Sequence, residues 1–173
     1  KLAGLPAPQV LIGGYGRVGH TIAVLLKSSG VDFIAFDTDP KRVQQARTDG
    51  HAVLYGDISD PELLTAARAE QATLAIITVD SHADALRAVS ALRRHCPRVP
   101  VIARARDLEA SSALVTAGAI HAYPETIEAS LRLGATALRV LQIPTLDIDA
   151  MLQDIRDWDY QPIIESPAKE EIR

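Results

Sequence analysis

The chain of 173 residues contains a single cysteine, a single methionine and a single tryptophan, and these shortages exclude several classes of protein at once. One cysteine, Cys96, admits no internal disulfide and no cysteine-based metal site. It stands between His95 and Pro97 at an expected helix end, without the electropositive, exposed setting that makes a thiol reactive. No stretch offers the uncharged apolar length of a bilayer span, and the opening K-L-A-G-L-P-A-P does not read as a secretory signal. A formal net charge of −4, with no Lys/Arg cluster flanked by aromatic residues, argues against nucleic acid as a partner. Also missing are a nucleophile elbow, a Walker lysine and any spaced set of metal ligands. The five histidines, at 20, 51, 82, 95 and 121, are scattered, and only His82 falls near the mouth of the crevice inferred below.

What is present is 47% hydrophobic residues, ample for a core, arranged as short Val/Ile/Ala-rich runs alternating with segments of helical period. That alternation predicts βα units and a parallel sheet covered on both faces. The expected strands are 9–13, 32–37, 51–55, 73–79, 99–105 and 120–123. Helices are expected over 17–29, from Pro40 to near Asp49, over 62–67 with Asp60 as N-cap, over 81–95, 108–117 and 125–141, and over 147–157 after Pro144. The fold class is therefore α/β: a Rossmann-like, doubly wound, six-stranded parallel sheet in the order 3-2-1-4-5-6, with a C-terminal crossover helix and a short helical tail.

Val10 to Gly19 read V-L-I-G-G-Y-G-R-V-G, an apolar run breaking into G-x-G-x-x-G at Gly14, Gly16 and Gly19. Asp37 closes the next apolar run, 23 residues after Gly14. Each element has a physical reason in a nucleotide site: Gly14 permits the tight turn, Gly16 lets the backbone approach a phosphate, and Gly19 lets the helix pack close to the strand. The amides that open the helix, at Tyr15 to Val18, then face the anion. Asp37, followed by Thr38, accepts hydrogen bonds from ribose hydroxyls and disfavours a 2′-phosphate, or else it starts the turn toward Asp39-Pro40.

In an open parallel sheet the ligand lies over the carboxyl ends of the strands, which brings in the residues just after the other strands. Asp57 either accepts from an adenine amine, with Ile58 covering the ring, or caps the following helix. Arg17 either reaches a phosphate or faces solvent. Thr78, Val79 and Asp80 line the far side of the phosphates; Arg104 and Arg106 are taken to alternate in direction, so that only one faces the ligand, and Arg104 is favoured.

These residues together resemble the regulator-of-K⁺-conductance domain (KTN, TrkA-N type), and more closely the cytoplasmic C-terminal domain of Kef-type monovalent cation:proton antiporters. The matching stretches are G-Y-G-R-V-G at 14–19, F-D-T-D-P at 36–40, Y-G-D-I-S-D at 55–60, V-P-V-I-A-R-A-R-D at 99–107, and A-G-A followed by Y-P-E near 117–125. The resemblance implies a non-catalytic NAD(H) or AMP ligand and a homodimer formed through the helix after the sixth strand. It also implies an antiporter membrane domain in the same chain, a place on the cytoplasmic side of a bacterial inner membrane, and potassium or cation transport gated by ligand; an ancillary regulator is left unspecified. It implies residues 1–8 as a linker, 9–141 as the nucleotide-binding domain and 142–173 as a helical segment with a charged, frayed tail. Arg17 matches a loop arginine that reaches terminal phosphates, and Glu125 an acidic interface residue. Leu131 and Leu138, on the two-faced helix 125–141, are the expected apolar interface residues. Glutathione-gated members carry basic and aromatic residues at positions aligning with Val24, Asp49 and Pro124, so no glutathione gating is expected through them. A reading without the resemblance remains: an NAD-dependent oxidoreductase fragment lacking its substrate domain.

Overall fold

In the computed structural model, which describes residues 7–164, helices follow strands with almost no irregular chain between them. The strands are β1 (Val10–Gly13), β2 (Phe33–Asp37), β3 (Val53–Tyr55), β4 (Leu74–Ile77), β5 (Val101–Ala105) and β6 (His121–Pro124). They form one all-parallel sheet in the order β3-β2-β1-β4-β5-β6, as the alternation of runs predicts. The helices are α1 (Arg17–Ser28), α2 (Pro40–Thr48), α3 (Pro61–Ala66), α4 (His82–His95), α5 (Leu108–Ala117), α6 (Glu125–Val140), α7 (Thr145–Asp157) and α8 (Gln161–Ile164). Residues 1–6 and 165–173 lie outside the described residues, and with them most of the expected linker and tail.

Burial on both faces follows from strand periodicity. Val10 and Ile12 of β1 pack with Ala35, Val53 and Ile76 beneath Ala23 of α1 and Val43 and Ala46 of α2. Leu11, one residue out of phase, joins Phe36, Ile77 and Val101 on the other face, under Leu64, Val89, Leu92 and Leu114. Each large side chain so enclosed contributes about 1.5–3 kcal/mol.

Local chemistry sets where the helices begin. Asp39, Asp60, Ser81 and Asp107 each accept a hydrogen bond from a backbone amide in the first turn of α2, α3, α4 and α5, and Pro occupies the first position of α2 and α3. Gly118 ends α5 at φ +123°, a conformation that disfavours any side chain. The structure adds two short pieces with too little apolar period to be read from sequence, a 3₁₀ turn at Ala69–Gln71 and α8, and it starts α7 at Thr145, before the expected residue 147.

The described chain divides into two compact units between Glu125 and Thr126. Within the second, Glu128 is buried and accepts from Arg156 (Nε 3.0 Å, Nη2 2.9 Å) and from the Tyr160 hydroxyl at 2.5 Å, which ties α6 to the end of α7. The two faces of α6 are unequally covered. Leu131 is buried and Leu138 half-buried within this chain, whereas Leu133 and Val140 carry the open apolar face at 74% and 77% exposure. Apolar spacing alone cannot tell which of two faces the chain itself covers.

Candidate functional site

β1 lies between β2 and β4, so the connections that leave it and β4 diverge to opposite faces and open a crevice at their carboxyl ends. The glycine loop fills the floor of that crevice. Gly14 sits at φ +104°, and a Cβ on it would come within 2.8 Å of Thr78 Oγ1. Thr78 Oγ1 donates to the Gly14 carbonyl at 2.7 Å, so the loop is pinned to the end of β4. A Cβ on Gly19 would lie 2.0 Å from the Gly14 carbonyl oxygen, which is the close helix–strand approach expected of the third glycine. Gly16 is the N-cap of α1 and brings no side chain to its orphan amides, which leaves the helix N-terminus suited to an anion.

Asp37 is 7% exposed, with each carboxylate oxygen already accepting one backbone amide: Oδ2 from Tyr15 and Oδ1 from Asp39, both at 2.8 Å. It organises the turn toward Pro40 and at the same time stands on the pocket wall. Each oxygen keeps a lone pair for a ribose hydroxyl.

The crevice encloses about 620 Å³, within the range of small-molecule sites. Its wall is built from Gly14, Gly16, Arg17 and Val18, from Asp37 and Thr38, from Asp57 and Ile58, and from Thr78, Val79, Asp80 and Arg104. Two expected site residues are elsewhere. The Tyr15 side chain turns into the core beneath α1 and α2, its hydroxyl 3.1 Å from His20 Nδ1, so this residue serves the site through its amide alone. Gly19 lies behind the loop and packs rather than lines.

Other side chains differ in role from the sequence reading. Asp57 does not cap α3, which Asp60 does; it accepts from the Ser59 amide and hydroxyl at 2.9 and 2.6 Å. Burial pushes its carboxyl up, but the Ser59 hydrogen bonds and Arg87 at 3.6 Å outweigh that and hold it below the usual value. Ile58 is 3% exposed and belongs to the core, pressing on Gly13, so only its edge reaches the cavity. Arg104 does line the cavity, but its donors are engaged: Nε and Nη2 with Glu125 at 2.6 and 3.1 Å, and Nη1 with Asp80 at 2.7 Å and the Thr78 carbonyl at 3.1 Å. Glu125 and Asp80 hold its guanidinium even more firmly protonated than usual, against the opposing effect of burial. Glu125, expected at an interface, is engaged in this pair. Arg106 is not on this wall, though alternation is not the reason, since residues two apart in a strand share a face; β5 ends at Ala105, and Arg106 approaches Asp107 at 3.6 Å.

Sequence reasoning missed Arg42, Ser81, Asp84 and Arg87, which also line the cavity. All sit at or near the start of the helices that follow β2 and β4, and that placement was the available signal. No histidine or cysteine is part of this wall; His82 borders a small neighbouring cavity with Arg106 and Glu125. Among the described residues no group of three His, Cys, Asp or Glu side chains is placed to hold a metal ion. Cys96 is buried, and burial, with Glu70 nearby, pushes its thiol up. No helix among the described residues is long and apolar enough to cross a membrane.

Residues 10–124 match the TrkA-N domain family. A putative K(+) efflux antiporter, KefB, of Alkalimonas amylolytica is 36% identical over 88% of this chain and 23% of its own length. The glutathione-regulated potassium-efflux system protein KefC of Cronobacter sakazakii is 34% identical over 91% of this chain and 26% of its own. The chain therefore spans about a quarter of the length of these curated relatives. Among solved structures, the AMP-bound C-terminal domain of Kef from Shewanella denitrificans superimposes with a TM-score of 0.74 at 28% identity, over 90% of this chain and 97% of that one.

Proposed function

The chain belongs to the TrkA-N domain family, and from that premise we propose that it is a non-enzymatic, nucleotide-sensing module of a potassium or cation:proton antiporter. Its ligand is an adenine nucleotide, AMP or NAD(H). The observation that carries this reading is the juxtaposition, in one 620 Å³ cavity, of the immobilised Asp37 carboxylate and the side-chain-free N-terminus of α1. One recognises a ribose and the other a phosphate. Asp57 and the edge of Ile58 border the adenine end, and Thr78 to Asp80 the far side of the phosphates. The AMP-bound Kef relative and the Kef efflux proteins that match most of the chain support both the ligand and the transporter.

In this reading residues 9–141 form the nucleotide-binding domain, and the module belongs to an antiporter of a bacterial inner membrane and sits on its cytoplasmic side. The module pairs with a second copy through α6, using the open face that carries Leu133 and Val140. Coupling needs only that the ligand bind two states of the assembly unequally; a 100-fold difference corresponds to about 3 kcal/mol. Calorimetric titration of the purified chain with AMP tests the core of the reading: saturable binding that Asp37→Ala removes supports it. A folded chain that ignores AMP, NAD⁺ and NADH overturns it. The oxidoreductase alternative predicts turnover of NADH with a simple carbonyl, and none is expected.

A further inference from the structure

Four arginines border the cavity, and they are not equivalent. Arg87 is held by Asp84 at 2.6 Å, and Arg104 by Glu125 and Asp80 at 2.6 and 2.7 Å. Arg17 has no carboxylate within ion-pair distance among the described residues, and Arg42 approaches Asp37 and Asp39 only at 3.7 Å each, beyond hydrogen-bond reach. Arg42 is half-exposed, so these two contacts are worth little and cost little to exchange. Its position matters more. The volume that a side chain at Gly16 would occupy is the volume a phosphate uses to approach the N-terminus of α1. Arg42 Nη1 borders that same volume, 3.8 Å from where a Cβ on Gly16 would stand.

We propose that Arg42, projecting from the first turn of α2, is a specificity-determining residue that closes with Arg17 on a terminal 5′-phosphate of the bound nucleotide. This deepens the nucleotide reading above and rests on it. A terminal phosphate monoester carries a charge of about −1.5 to −2 near pH 7, by analogy with phosphoserine, and a two-arginine clamp matches it. Each phosphate of a dinucleotide's internal pyrophosphate carries one charge and gains less. A nucleoside carries none and leaves Arg42 where it is. The ligand class is thus a nucleoside 5′-monophosphate, ahead of dinucleotides and nucleosides.

The test is calorimetric titration of the wild type, Arg42→Ala and Arg42→Lys with AMP, adenosine and NAD⁺. Arg42→Ala is expected to weaken AMP by about 10- to 100-fold while changing adenosine by less than about 2-fold. Arg42→Lys should keep part of the AMP preference, as a point charge without the planar fork. NAD⁺ should lose less than AMP does. An unchanged AMP-to-adenosine ratio overturns the proposal, and so does an equal loss of both ligands, which would mean that Arg42 merely steadies Asp37. If the wild type binds none of the three, the nucleotide reading itself fails and Arg42 falls with it. Arg42 is exposed on a helix, so thermal melting of each variant is expected to match the wild type and to exclude misfolding.

Discussion

The same substitution, glycine to alanine, should have opposite signs at two positions of this chain, and the difference isolates the role of the glycine loop. At Gly19 a Cβ would stand 2.0 Å from the Gly14 carbonyl oxygen and 3.0 Å from its carbon. Both are backbone atoms, so no side chain can swing aside, and α1 must move by about 1 Å to restore ordinary contact. Overpacking of this kind costs about 3 kcal/mol, and displacing Gly14 from Thr78 Oγ1 adds about 1 kcal/mol. Alanine's better helix propensity returns about 1 kcal/mol, which leaves a net loss near 3 kcal/mol. At Gly134, inside α6, a Cβ meets nothing within 4 Å, and Gly134→Ala should stabilise by about 0.5–1 kcal/mol. Thermal and urea unfolding followed by circular dichroism would show a melting temperature lower by about 6–12 °C for Gly19→Ala, and AMP affinity should fall because the helix N-terminus has shifted. A Gly19→Ala protein within about 0.5 kcal/mol of wild type would refute the close-approach argument.

Three further outcomes follow from buried groups. Cys96, 2% exposed with its thiol pushed up by burial, should resist alkylating reagents at neutral pH until the chain is unfolded. Burial, together with Lys27 and His20, lowers His51 below the usual imidazole value, so the folded chain binds its proton less readily than the unfolded one. Stability from this residue is therefore complete above about pH 6.5 and is lost as pH falls below it; urea titrations from pH 5 to 8 should show His51→Gln flattening that slope. Glu128→Ala should destabilise the second unit by about 1–2 kcal/mol, because it removes the acceptor that Arg156 and the Tyr160 hydroxyl share while Arg156, 39% exposed, still reaches solvent; chemical denaturation measures it.

The path of the chain was legible because parallel βα units put their punctuation in the sequence. Gly14, Gly16 and Gly19 announced the loop, Asp39-Pro40 and Asp60-Pro61 the helix starts, and the runs ending at Gly13, Asp37 and Val79 the sheet. The floor of the cavity was legible for the same reason. Its sides were less so, because a side chain's direction and partners depend on tertiary neighbours. Nothing in G-Y-G says that Tyr15 turns toward His20 instead of toward the ligand. Nothing in A-R-A-R-D says that Arg104 is engaged by Glu125 and Asp80, which lie 21 and 24 residues away. Arg42 and Arg87 look like ordinary helix-surface cations until the strand order brings α2 and α4 to the same crevice. On α6, two apolar faces were visible, and only the fold assigns Leu131 to the chain's own interior and Leu133 to its surface.

The central claim is that an adenine nucleotide lies across the carboxyl ends of β1 and β2, and a crystal structure of the chain with AMP tests it most directly. The account predicts ribose hydroxyls on the Asp37 carboxylate and the phosphate on the amides that open α1, beside Gly16. A folded chain crystallised with saturating AMP that shows the nucleotide elsewhere, or an undisturbed Asp37 with no ligand beside it, would contradict it.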